Sequence, residues 1–191
     1  MWITRVQLSD IKSYGKDSPP IEFRPGVNLI QGHNGAGKST LLEAIGLALF
    51  DSRAYTNAQF VREGATSGRI TVGFVSAVDE REYEVVRGVG SSSLSYIYDP
   101  EIQQRLCEGR EDTLAFIRTH LRVDAETNLS TLFEDAVGVP QGTMTAIFRE
   151  TAAVRKSKFN RLLHIDAPPM IPVLCCSRAT VSIKIAGAPL G

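Results

Sequence analysis

The residues best placed to do chemistry lie in Gly32-His33-Asn34-Gly35-Ala36-Gly37-Lys38-Ser39, followed by Thr40. The stretch matches the spacing G-x-x-x-x-G-K-[ST]. A polyphosphate needs several backbone N–H donors converging on it, and side chains would block their approach. Glycines also reach the positive φ angles that such a nest of amides requires. A helix beginning at Lys38 would aim its free N–H groups and dipole at the same anion. Lys38 can reach the β- and γ-phosphates, and the Ser39 hydroxyl can bind Mg²⁺. The loop is therefore shaped for a nucleoside triphosphate and a metal. His33 reads as a spacer within it rather than as a base.

The flanking elements must position that loop. "VNLIQ" before it reads as a buried strand, and "KSTLLEAIGLALF" after it as a helix with Leu41, Leu42, Ile45 and Leu49 on one stripe. Ala44, Gly46 and Ala48 suit close packing on a sheet. "WITRVQL" alternates, with Trp2, Thr4, Val6 and Leu8 on one side. "SYGKDSPP" is a loop, "IEF" a short strand and "RPG" a turn. Residues 51–68 form a polar connection. Then the period changes to two. In "RITVGFVSAV" the residues Ile70, Val72, Phe74 and Val78 share a face, "EYEVVRGV" alternates again, and "LSYIY" groups Leu94, Tyr96 and Tyr98. An antiparallel meander is expected from about Gly68 to Tyr98. "EDTLAFIRTHL" returns to helical spacing, and a longer helix is expected over "TMTAIFRETAAVRKSKFNRLLHI" after a Pro-Gln-Gly turn.

Two features have competing readings. "FVSAVDE" looks like an apolar run ending in the acidic pair of a nucleotide hydrolase, but "REYEVV" continues directly as the next strand, so Asp79-Glu80 read as a hairpin turn. Arg149, Arg155, Lys156, Lys158 and Arg161 face one acid, Glu150. They form either a solvated helix face or a contact for a phosphate backbone.

The totals limit the class. The chain has 191 residues, with 21 Lys+Arg against 21 Asp+Glu, so any basic surface is local. Three cysteines, Cys107, Cys175 and Cys176, form no CxxC pair. That usage fits a reduced, cytoplasmic compartment. Met170 to Ala188 is the stretch closest to a membrane span, and Pro172, Arg178 and Lys184 interrupt it.

"DIKSYG", "IEFRPGVNLIQGHNGAGKSTLLEAIGLALF" and "GVPQGTMTAIF", in that order, resemble the N-terminal ATPase lobe of the SMC superfamily. "VPQGTMTAIF" is more similar to the branch of SbcC-like DNA double-strand-break repair ATPases. The resemblance covers Met1 to about Ile165. It implies an α/β fold: a P-loop NTPase half-domain, the N-terminal lobe of an ABC-type head, carrying the antiparallel β meander. It implies ATP and Mg²⁺ as ligands. Asn34, Gly35, Ala36, Gly37, Lys38, Ser39 and Thr40 would wrap the phosphates, with Lys12 and Ser13 approaching the nucleotide. Arg62 and Glu63 would lie near the base. Gln141 would complete the Mg²⁺ site and report on the γ-phosphate, although a glutamine in a turn is by itself unremarkable. Lys38 and Gln141 would carry the catalytic roles.

The implied partners are a C-terminal ATPase lobe supplying the acidic pair and signature motif, a second ATPase head, an SbcD-type nuclease and double-stranded DNA, with no membrane. A bacterial protein of this kind would be nucleoid-associated. The expected function is ATP hydrolysis in a head-to-head dimer that controls DNA binding and nuclease activity. A chromosome-organising SMC head, a RecF-like head and a non-catalytic ATP-binding fragment are the alternatives. Residues 1–165 are expected to form the lobe. Residues 166–191, proline-broken and free of acids from Ala167 on, read as an atypical tail, truncated or frame-shifted. Alone, the chain is expected to bind ATP and hydrolyse it negligibly.

Overall fold

A computed structural model describes residues 1–52, 56–138, 151–153 and 156. Its strands are β1 (Trp2–Ser9), β2 (Ile21–Glu22), β3 (Ser67–Val75), β4 (Glu82–Gly90), β5 (Ser95–Asp99) and β6 (Gln104–Glu108). They form one sheet in the order β2-β1-β3-β4-β5-β6, and every neighbouring pair is antiparallel. Helix α1 (Lys38–Phe50) lies against β1, β3 and β4, while α3 (Arg110–Leu121) lies against β5, β6 and α1.

The period-two pattern of the meander fixes its register. Val6 and Leu8 sit opposite Val72 and Ile70. Ile70, Val72 and Phe74 sit opposite Arg87, Val85 and Tyr83. Val85 faces Ile97. These apolar residues are buried beneath α1 and α3 as one core. On β5 the buried row is Ser95, Ile97 and Asp99, so Leu94, Tyr96 and Tyr98 share the other, half-buried face as a group. Asp79 and Glu80 fall in the turn between β3 and β4, with Tyr83 donating to the Asp79 carboxylate at 2.6 Å.

Five expectations need correction. A bulge between Ile3 and Arg5 breaks the alternation of β1. It turns Ile3 toward the core and leaves Trp2 exposed, so Trp2 does not share a face with Val6. Val78 lies beyond the end of β3 and is exposed. Leu42 is off the buried stripe of α1, which from Ala44 to Phe50 is buried all round. The connection after α1 contains a short helix, α2 (Asn57–Phe60), and Phe60 enters the core. Finally, "VNLIQ" is no strand: residues 27–31 run outside the sheet, with Val27 102%, Leu29 80% and Ile30 45% exposed.

After α3 come α4 (Leu129–Leu132) and a π-helical turn (Phe133–Val137). Phe133 packs on Gly46 so closely that a Cβ there would lie 2.5 Å from its ring. The small residue at position 46 thus makes room for this ring. Gln141, the long helix and the tail 166–191 lie outside the described residues, Thr151–Ala153 and Lys156 of that helix excepted.

Candidate nucleotide site

The chain enters the site through a turn pinned by Asn28. Its side chain accepts from the Arg24 amide at 3.1 Å and donates to the Arg24 carbonyl at 2.8 Å. Gly26 at its centre has φ 102°, a conformation most residues resist. Residues 27–31 lead to a turn closed by the Ala36 amide on the His33 carbonyl, 3.1 Å. Gly35 (φ 83°) and Gly37 (φ 92°) supply the left-handed residues that reverse the chain into α1. Here the glycine spacing read from the sequence has its physical cause.

Helix α1 starts without a side-chain cap. Leu41 is the first residue whose amide reaches back, to the Gly37 carbonyl at 3.0 Å. The amides of Lys38, Ser39 and Thr40 are left as the helix's donors for an anion. Lys38 Nζ donates to the carbonyls of Gly32 (2.8 Å) and His33 (2.9 Å), so its ammonium sits within the loop. Ser39 is exposed at the helix start, while Thr40 is buried. The site has the features that a triphosphate with Mg²⁺ requires: left-handed glycines, unengaged helix amides, a lysine over the loop and a neighbouring hydroxyl.

A second loop closes over the first. A Cβ on Gly37 would lie 2.4 Å from Ser13 Oγ and 2.7 Å from the Tyr14 ring. The Tyr14 hydroxyl donates to the Gly37 carbonyl at 3.2 Å, and burial pushes its pKa up, keeping it a donor. Ser13 therefore lies against the phosphate loop. Lys12 is differently placed: its ammonium pairs with Glu43 of α1 at 2.8 Å and lies 4.9 Å from the Phe60 ring. Arg62 Nη1 donates to the Ser13 carbonyl at 3.1 Å, which binds the Arg62 segment to the same loop. Glu63 follows on an exposed turn. Gln141 lies outside the described residues.

Sequence reasoning missed Tyr14 and Glu43. The signal for Glu43 was available. It is the only acid in a helix whose N-terminus is built for an anion, and such an acid calls for a cation partner.

The model of the AAA domain family matches residues 5–162. The chain is 33% identical over 170 residues to the "DNA double-strand break repair Rad50 ATPase" of Methanopyrus kandleri. That match covers 85% of the chain and 18% of the relative. The Thermoplasma volcanium protein of the same name is 29% identical over 171 residues, 87% of the chain and 18% of the relative. The chain thus spans under a fifth of the length of these curated relatives. A solved structure from a study of ATP-driven dimerization and DNA-stimulated activation of SMC ATPases has the same fold. Its TM-score is 0.65 at 23% identity, over 84% of this chain and 98% of that one. Matched by the family model over most of its length, the chain belongs to the AAA domain family.

Proposed function

We propose that the chain is the ATP-binding lobe of a DNA double-strand-break repair ATPase whose catalytic site is completed by a second lobe. The observation that carries this reading is the junction of two opposites. A phosphate loop with its donors in place is reached through an apolar segment, Val27 to Ile30, that is largely exposed. Apolar residues leading into a nucleotide site are expected under cover. A C-terminal lobe supplying the acidic residues and signature motif would lie against this segment.

Within such a head, Lys38 and the first amides of α1 hold the phosphates and neutralise charge developing on them. Mg²⁺, when bound, would supply further neutralisation of phosphate charge. Ser39 and Gln141 are proposed as its ligands, and the exposure of Ser39 at the start of α1 supports this for Ser39. The remaining steps are the head-to-head dimer, the coupling of hydrolysis to double-stranded DNA and the control of an SbcD-type nuclease. Residues 1–165 are proposed as the lobe and 166–191 as a tail outside the site. Asp79 and Glu80 are assigned to the hairpin turn between β3 and β4 rather than to the reaction, with the Tyr83 hydroxyl donating to Asp79 at 2.6 Å.

Calorimetry with Mg-ATP and a turnover assay test the reading together. The chain alone should bind ATP and turn it over negligibly, and a matching C-terminal lobe should restore turnover. Robust turnover by the pure chain, lost in Asp79→Ala, would overturn the assignment of the hairpin. Failure to bind ATP at all would overturn the function.

A further inference from the structure

We propose that Glu43 is a positioning residue of the nucleotide site, acting through Lys12 on the loop that covers Gly37. The inference rests on the reading of the phosphate loop as an Mg-ATP site. Glu43 lies on α1, and its carboxylate takes Lys12 Nζ at 2.8 Å, with both side chains partly buried.

Lys12 is an unusual residue to find in that place. Its φ of 43° is in the left-handed region, which a lysine keeps only where its surroundings hold it. The holding groups come from two elements. The Lys12 amide donates to the Phe60 carbonyl at 3.2 Å, and its ammonium lies 4.9 Å from the Phe60 ring. Ile11 is bridged to Tyr14 and to Val61. From the other side, Glu43 ties the lysine head to α1. The turn so fixed sets Ser13 Oγ and the Tyr14 ring against Gly37, the last glycine before the phosphate-binding helix.

Glu43 therefore joins the covering loop to the helix that carries Lys38 and Ser39, with no need to touch the nucleotide. It also sets where the Lys12 charge stands along α1. Without the carboxylate, the ammonium is released and the left-handed turn loses its tie to α1. The groups covering Gly37 are then no longer held in register with the helix N-terminus.

The test is Mg-ATP affinity of the full chain by calorimetry, with thermal melting as the check on folding. Glu43→Ala should weaken binding about tenfold, the loss expected for one charged hydrogen bond. Glu43→Asp, which keeps the charge, should recover most of the affinity. Glu43→Gln, close in shape but neutral, should not. Lys12→Ala should weaken binding as well, and the double variant should be no weaker than Lys12→Ala alone, because both act through one pair. A purely structural ion pair would be non-additive too, but its affinity loss would follow the loss of melting temperature, whereas here affinity falls with the melting temperature unchanged. Affinity within twofold of wild type in Glu43→Ala and Glu43→Gln, with Lys38→Ala still weakening binding roughly a hundredfold, would overturn the role of Glu43 alone. Unchanged affinity in Lys38→Ala would overturn the phosphate-loop reading, and this inference with it.

Discussion

The two ends of α1 are built on opposite principles. At the C-terminal end, Asp51 turns left-handed at φ 53° and its carboxylate is held by Arg87 from β4 and Arg110 from α3. The Ser52 amide closes back on the Gly46 carbonyl at 3.1 Å, satisfying one of the helix's last carbonyls. At the N-terminal end no side chain caps the helix, and the first amides point toward the glycine loop. One end meets its polar demands from within the protein, and the other keeps its donors for a ligand. The difference separates what stabilises this lobe from what it does. Substitutions at one end should cost stability and spare binding, and at the other the reverse.

The largest effect should come at the closed end. Arg87 is 5% exposed in the core row of β4, opposite Ile70, and its second donor group reaches Ser95 Oγ at 3.4 Å. Removing one partner of a buried pair leaves the other under-compensated, and Arg87→Ala should cost about 3–5 kcal/mol. Arg110 holds the same carboxylate from a half-exposed position, and Arg110→Ala should cost under about 1 kcal/mol. Urea denaturation measures both. Equal losses would mean that burial does not decide the worth of these two arginines.

At the open end, Lys38→Ala should leave the denaturation midpoint close to wild type and weaken Mg-ATP by about 2–3 kcal/mol, roughly a hundredfold. Its partners in the structure are two exposed loop carbonyls, which water can satisfy. Calorimetry and urea titration on the same variant give the two numbers. A large stability loss with intact binding would invert the contrast between the ends.

The closed region was largely legible in the sequence, and the open one only in part. Ile70, Val72, Phe74, Val85 and Ile97 alternate because one face of the meander is buried, and alternation of that kind fixes a strand locally. The glycine loop was legible for a different reason, since its residues answer to the ligand's geometry rather than to packing. Burial of Val27 to Ile30 was misread because an apolar run states what a segment prefers to touch, and the described residues do not cover it. The bulge at Thr4 has no sequence signal, because Trp2 fits the alternation as well as Ile3 does. Strand β6, "QRLCE", shows little of its origin: an edge strand exposed on most of its length keeps hardly any pattern. Glu43 stood out as the lone acid of α1, but its partner Lys12 lies 31 residues away, and no local pattern joins the two.

A smaller effect distinguishes the meander by pH. Ser76 Oγ accepts from the Val78 amide at 3.0 Å and lies 2.7 Å from His120 Nδ1. Burial lowers the His120 pKa, against an opposing pull from the Asp79 charge. Burial also acts to raise the Asp79 carboxyl, but hydrogen bonds from Tyr83, Ser76 and the Arg81 amide outweigh it and bring it down to about 2. Asp79 therefore stays charged while His120 titrates. The unfolded chain takes up the histidine proton near pH 6.5 and the folded one only at lower pH. Stability from this group is present above that value and is lost as pH falls through the folded pKa. Denaturation midpoints at several pH values should show the decline, steeper in Asp79→Asn and reduced in His120→Phe. A midpoint that rises on acidification would reverse the sign.

The smallest effect tests the open end most directly. Leu49 and Leu29 are the same residue type in opposite surroundings, one fully buried in α1 and the other 80% exposed before the phosphate loop. Leu49→Ala should cost about 2–5 kcal/mol, from lost burial and the cavity left behind. Leu29→Ser should change the stability of the isolated chain by no more than about 0.5 kcal/mol, as exposed substitutions do. The isolated chain gains nothing from an apolar residue that water already surrounds. If a second lobe covers this segment, the cost of Leu29→Ser will appear only there. Binding of a matching C-terminal lobe should weaken while Mg-ATP affinity of the free chain stays within twofold. A stability loss near that of Leu49→Ala in the isolated chain would show that residues 27–31 are packed in solution and need no covering lobe.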